Sequence, residues 1–192
     1  MKRLALFLLL AATTANAEVT RYLVRPTYTS IRFSIVKWGV MKEEGIFREF
    51  TGTLDFDPSH PEQSRIELTV QAPSIDTKND TRDKMVRSDE FLDVTRYPTL
   101  SFVSRSVNQD GGHWYVTGDL TIHGTTHRIR IPVSQLGVRD LPNVGKLAAF
   151  ETAFTINRRD YGVLGTKWGA IPGTLEDAVD IHIIVGGIKQ AR

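Results

Sequence analysis

Apolar and polar residues alternate with a period of two through most of the chain. Ile31, Phe33 and Ile35 are separated by Arg32 and Ser34, and Phe50, Gly52, Leu54 and Phe56 by Thr51, Thr53 and Asp55. Ile66, Leu68 and Val70 follow the same rule, as do Leu100 and Phe102. Further on come Trp114, Val116, Gly118, Leu120 and Ile122, then Ile129, Ile131 and Val133. Phe150, Phe154 and Ile156 share one parity, and Val179, Ile181, Ile183 and Val185 close the series. Successive side chains of a strand point to opposite faces, so this alternation predicts half-buried strands with one apolar and one wet face. The series amounts to about eight strands of about 7–11 residues each. "NQDGG" at 108–112 and "HGTT" at 123–126 carry hairpin-turn signals. Sequential antiparallel strands in this number pack as a sandwich or close into a barrel, and closure removes the exposed edges. The interior of an eight-stranded barrel is just wide enough for side chains or one small ligand.

One stretch breaks the alternation. "SIDTKNDTRDKMVRSDEF", residues 74–91, packs Asp76, Lys78, Asp80, Arg82, Asp83, Lys84, Arg87, Asp89 and Glu90 around Met85, Val86 and Phe91. Residues 77–87 hold no Pro or Gly, and the spacing predicts a helix between the third and fourth strands of the series. Met85 and Val86 can face inward while the charges face water. Ser88 resembles an N-cap for a short turn through 89–91. Such an insert is either a lid with an apolar underside across one barrel end, or a helix that covers a core.

The N-terminus reads differently. Lys2 and Arg3 precede the apolar run "LALFLLLAA" at 4–12, and Ala15-Asn16-Ala17 is a small-x-small site. Residues 1–17 are therefore expected to be a secretory signal peptide cleaved after Ala17, with 18–192 as one domain and a periplasmic product. The alternative is an uncleaved anchor, but spanning a bilayer takes about 20 apolar residues. The full chain has 24 Lys and Arg against 22 Asp and Glu. Without Lys2 and Arg3 it has 22 of each, and no basic block is left to support nucleic-acid binding. The chain has no cysteine, hence no disulfide and no acylated cysteine.

Candidates for chemistry are sparse. The histidines are His60, His113, His123, His127 and His182. His123 and His127 flank one tight turn, yet a stable zinc site needs three or four ligands, and no acid or Cys completes this one. His182 has the polar parity of its strand, and His60 lies in a turn. Asp76, Arg82, Asp83, Arg158 and Asp160 can be read as a catalytic cluster or as ion pairs pinning a lid to a barrel rim. Carboxylates beside arginines have lowered pKa values and make poor general bases, which favours the second reading. No nucleophile elbow and no phosphate-binding loop is present.

Three segments resemble the signature of the YceI-like family of polyisoprenoid-binding proteins. They are "SIDTKNDTRDKMVRSDEFLDVTRYPTLSFVS" at 74–104, "GDLTIHGTTHRIRIPV" at 118–133 and "INRRDYGV" at 156–163, and the resemblance runs from about residue 22 to 185. It implies a lipocalin-like antiparallel barrel with an interposed helix, exported and usually periplasmic. It also implies an apolar tunnel for a long isoprenoid chain such as a polyprenyl or quinone tail. On strand parity, Phe33, Leu54, Leu68, Phe102, Leu120, Ile131, Phe154 and Ile181 are then expected to face the tunnel. Asp76, Arg82, Asp83, Met85, Arg158 and Asp160 are expected at the lid and rim. Tyr28, Lys37 and Met85 stand where the family usually has His, and Arg25 where it usually has Asp. A lysine there would suit an anionic head such as a phosphate. The expected function is an exported carrier of an isoprenoid lipid, with no cofactor and no metal. An enzyme acting on such a lipid in the same cavity and a filled barrel that binds a partner protein are the alternatives.

Overall fold

The computed structural model describes residues 19–165, 167 and 170–190. The expected signal segment, 1–17, lies outside the described residues. The strands are β1 (Thr20–Val24), β2 (Ser30–Lys37), β3 (Met41–Phe47), β4 (Phe50–Phe56), β5 (Arg65–Gln71) and β6 (Ile75–Asp76). After the α-helix α1 (Asp80–Arg87) come β7 (Thr99–Asp110), β8 (His113–Ile122), β9 (Thr125–Leu141), β10 (Gly145–Asn157) and β11 (Leu175–Lys189).

Eleven strands build only eight staves, because the first three staves are broken in the middle. β1 and β2 lie end to end along one edge of β11, β1 beside residues 187–189 and β2 beside 175–184. The 3₁₀ turn Pro26–Tyr28 separates them, and Pro26 has no N–H to give to a ladder. β3 continues into β4 in the same way, the former pairing with β2 and the latter with β1. β5 and β6 form the third stave, on β4 and β3, split by the 3₁₀ turn Ala72–Ser74. β7 to β11 complete an up-and-down series of antiparallel neighbours. β1 pairs with both β4 and β11, and this closes the barrel.

α1 follows β6 and precedes β7. It is shorter than the 77–87 expected from sequence. Lys78 adopts the left-handed φ of 59°, and Asn79 is the true N-cap, its side chain accepting from the Arg82 amide at 2.9 Å. Asp80 and Asp83 occupy the first turn, Lys84 and Arg87 the last, so the charges match the helix dipole. Ser88 closes the helix by donating to the Met85 carbonyl at 2.7 Å. It also accepts from the Glu90 amide at 3.3 Å, which starts the next turn. The apolar side of α1, with Phe91, Leu92, Tyr161 and Val163, packs into one end of the barrel against Leu120 and Ile122.

The wall is not uniformly hydrogen-bonded. β10 pairs with β11 from Leu147 to Asn157, but with β9 only from Gly145 to Glu151. Beyond Glu151 the β9–β10 seam has no ladder. Thr152 donates its hydroxyl to the Pro132 carbonyl at 2.7 Å, and Ile131 packs against Phe154. A backbone amide facing such a seam must bond water instead. In native-state hydrogen exchange, both alternating sets of amides in 147–151 are expected to be protected. In 152–157 only the set facing β11 should be. Uniform protection across 152–157 would show that the seam is laddered in solution.

Candidate functional site

The barrel encloses a cavity of about 810 Å³. Phe33, Leu54, Leu68, Phe102, Leu120, Ile131, Phe154 and Ile181 all line it. Their burial distinguishes a hollow barrel from a filled one. Leu54, Leu68, Leu120 and Ile131 are buried, whereas Phe33, Phe102, Phe154 and Ile181 are only half-buried although they point inward. An interior apolar side chain stays accessible only when the space beside it is empty, and a packed core leaves no void much larger than a water.

Glycines on the inner face keep the bore open. A Cβ at Gly45 would lie 2.4 Å from the Phe33 ring, and one at Gly118 would lie 2.4 Å from the Phe102 ring. Each aromatic ring therefore lies flat over a neighbouring strand rather than across the tunnel. Phe47, from β3, stacks obliquely on Phe33 with ring centroids 5.7 Å apart.

Lining residues come from both ends of the barrel. At the end away from α1 they include Pro61, Ser64, Arg65, Trp114 and Gln135. At the α1 end they include Lys37, Trp38, Glu43, Asn79, Arg82 and Met85. Here the polar groups form a linked set. Lys37 Nζ lies 3.6 Å from Glu43 Oε1 and 4.1 Å from the centroid of the Trp38 ring. Arg82 pairs with the other Glu43 oxygen, donates to Thr77 Oγ1 at 2.8 Å and to the Thr77 carbonyl at 2.7 Å.

The residues expected at the lid and rim divide into two groups, each with its own partners. Asp76 accepts from the Lys78 amide at 2.7 Å and from Arg48 Nε at 2.6 Å. Asp83 is buried beneath α1, where it accepts from the Thr77 amide at 2.9 Å and the Thr77 hydroxyl at 2.6 Å. Together with Arg82–Glu43, these contacts fasten α1 to β3 and to the bend before β4, and Met85 faces the cavity. The second group belongs to the 3₁₀ turn Arg158–Tyr161. Arg158 is only 4 % exposed and donates to the carbonyls of Glu176, Val163, Leu164 and Leu175, with Asp177 at 3.0 Å. Burial lowers its pKa from the usual arginine value, partly offset by Asp177. Asp160 offers its carbonyl to the His127 ring at 2.9 Å. Asp76, Asp83 and Asp160 do not line the cavity, whereas Arg82, Met85 and Arg158 do.

The histidines disperse. His123 packs edge-on against Tyr97, and His127 against Tyr161. His182 bonds Glu151 at 2.6 Å, and His60 bonds Asp57 at 3.1 Å. Of the three positions where His was expected by resemblance, Lys37 and Met85 share the α1 end of the tunnel. Tyr28 does not line it: it sits in the 3₁₀ turn between β1 and β2, pressed against Gly186. Sequence reasoning passed over Glu43 and Phe47 because "MKEEGIF" lacks apolar alternation. The signal that could have found them is Gly45, the small residue that a facing aromatic requires.

Eight antiparallel staves closed around one apolar cavity, with a short helix packed into one end, define a lipocalin-like barrel. Comparison with known proteins gives the family. The chain belongs to the YceI-like domain family, whose profile matches residues 22–185. It is 36 % identical over 160 residues to Protein YceI of Shigella flexneri, covering 83 % of this chain and 81 % of that one. It is 31 % identical over 186 residues to Protein YceI of Salmonella agona, covering 96 % and 95 %. Among solved structures, Burkholderia cenocepacia BcnA superposes with a TM-score of 0.77 at 24 % identity, covering 85 % of this chain and 98 % of that one. A polyisoprenoid binding domain from Saccharophagus degradans implicated in plant cell wall breakdown superposes with a TM-score of 0.64 at 13 % identity, covering 90 % and 100 %. At these identities the superpositions show a shared fold.

The Asp76 contacts have a pH signature. The Lys78 amide and Arg48 hold its carboxyl below the usual Asp value of 3.8. A carboxyl with a depressed folded pKa contributes stability that is present above the unfolded value and lost as pH falls through the folded one. Asp76→Asn is therefore expected to lower the melting temperature at pH 7. The gap to the parent chain should shrink as pH falls below about 4. A gap independent of pH would assign the loss to geometry rather than to charge.

Proposed function

We propose that this chain is a carrier that holds the apolar chain of a long isoprenoid lipid, of polyprenyl or quinone type, in the barrel cavity. The carrying observation is an apolar interior of about 810 Å³ in which Phe33, Phe102, Phe154 and Ile181 remain partly accessible. Ligand cavities typically measure about 300–1,000 Å³, so this one suits a single elongated molecule. Burial of a hydrocarbon chain contributes about 0.8 kcal/mol per CH₂-sized group, so a few isoprene units offset the cost of ordering the chain. The family and the solved polyisoprenoid binding domain with the same fold support a lipid-binding role. Among the described residues, neither the cavity wall nor the polar groups at its ends present a nucleophile paired with a base, and this favours binding over catalysis.

The reading includes export. The charged start, apolar run and Ala-x-Ala site of residues 1–17 are the features that support it. Expressed with its leader in a bacterium, the protein should be recovered from the periplasm with Glu18 at its N-terminus. An intact mass that retains Met1 in that fraction would remove this part of the proposal.

The ligand is tested by extraction. Organic solvent applied to natively purified protein should release a lipid identifiable by mass spectrometry. Leu120→Trp and Ile131→Trp each add bulk inside the bore, at about 1–3 kcal/mol of overpacking strain. Both variants should stay folded by circular dichroism and carry less lipid. Full lipid content in both, with the fold intact, would place the ligand elsewhere and reject the tunnel.

A further inference from the structure

The seven large apolar side chains left well exposed among the described residues are unevenly placed. Val19 immediately precedes β1, and Val144 is in the β9–β10 turn. The other five gather around the α1 end of the tunnel: Trp38 at 53 % exposure, Val40 at 84 %, Met41 at 47 %, Leu164 at 40 % and Ile171 at 55 %. Hydrogen bonds hold them together. The Trp38 amide donates to the Thr174 carbonyl at 3.0 Å, and the Thr174 amide to the Ile171 carbonyl at 3.1 Å. Arg158 bonds the Leu164 carbonyl at 2.7 Å and the Leu175 carbonyl at 3.3 Å, and Leu175 pairs with Lys37.

Trp38 is placed at a cost. The turn from Lys37 to Val40 is closed by the Val40 amide on the Lys37 carbonyl at 3.2 Å, with φ of 53° at Trp38 and 67° at Gly39. Two left-handed residues in a row define the hairpin turn that Asn-Gly makes without strain. A bulky aromatic with positive φ is a steric outlier. It stays half exposed even with Lys37 stacked on its ring, so a need outside the fold is an economical explanation. Its ring also lines the tunnel, so the apolar crown and the apolar bore are one continuous surface. The tip is bracketed by charge: "KWGVMK" places Lys37 and Lys42 on either side of Trp38, Val40 and Met41. Lys42 is more than half exposed and only loosely paired, 3.9 Å from Asp180.

An apolar tip with one loosely held cation, Lys42, at its shoulder, open onto an apolar tunnel, matches the interface of a phospholipid bilayer. There the tip meets acyl chains while the Lys42 ammonium sits at the level of the phosphates. We infer that the β2–β3 tip is an insertion loop that docks the α1 end of the barrel on a bilayer surface. The ligand then passes between membrane and tunnel without crossing water. The inference names the partner of the proposed carrier and rests on that reading for what passes through the mouth.

Flotation of the purified protein with vesicles tests it. One vesicle set contains phosphatidylethanolamine and phosphatidylglycerol, a second phosphatidylcholine alone. The protein should float with the first and partition more weakly into the second. Val40→Asp lies outside the tunnel lining and should lower partitioning about tenfold or more, with melting temperature and extractable lipid unchanged. Lys42→Glu should weaken partitioning into the anionic vesicles only. A parent chain that floats with neither set, or a Val40→Asp variant that floats like the parent, overturns the inference. So does a dimer in sedimentation that Val40→Asp dissolves, since the crown would then cover a second copy. Docking by a protein without extractable lipid would refute the carrier and leave the docking surface standing. Lipid content without docking would do the reverse.

Discussion

Closure of the hydrogen-bonded wall is the constraint on which the rest of the molecule depends. A packed core supports a fold from within, through dispersion contacts between interdigitated side chains. Here the centre is empty and half the inner side chains keep an accessible face. The wall must therefore hold its shape by its ladders, and they are nearly continuous: β10–β11 alone pairs eleven residues, and β1 bridges β4 and β11 to complete the ring. The broken staves follow from the same requirement. By bending at Pro26–Tyr28, at Arg48 and Glu49, and at Ala72–Ser74, three strands change partner without ending, and the barrel curves while its edges stay satisfied.

A hollow barrel also needs an end that does not collapse. Phe91, Leu92, Tyr161 and Val163 pack beneath α1 into a filled cluster that joins helix, loops and strands. Arg158 fixes that plug from the opposite side. Its guanidinium satisfies four backbone carbonyls in two segments, a task for a planar fork of five donors that an ammonium could not match. The two groups of polar residues once readable as one catalytic cluster are thus two fasteners, one for α1 and one for the loop after β10.

Much of this was legible in the sequence, for a physical reason. A strand has a side-chain period of two, so one apolar parity marks one face, and all eight residues chosen on parity line the cavity. Parity says nothing about what lies behind the face. The same alternation serves a filled barrel, and the hollowness depends on where rings such as Phe33 and Phe102 come to rest, which Gly45 and Gly118 decide from neighbouring strands. β3 was missed because Glu43 puts a charge on its inner parity, where it meets Lys37 and Arg82. Tyr28 lies off the wall because a break in a stave moves a residue off the strand face, and a 3₁₀ turn leaves no trace in an alternation count.

The α1 mouth limits what a head group can gain there. Lys37 alone would favour an anion, as its replacement of a family histidine suggested. In the structure Glu43 already stands between Lys37 and Arg82 and compensates both. An incoming phosphate would compete with this carboxylate, and at a partly exposed site each such pair is worth only about 1 kcal/mol or less. The net electrostatic gain is then the difference of two similar small quantities. The apolar term grows with every buried methylene, by about 0.8 kcal/mol. For the proposed carrier, this puts selectivity on chain length and shape within the bore. The Lys37–Glu43–Arg82 set meanwhile ties α1 to β3.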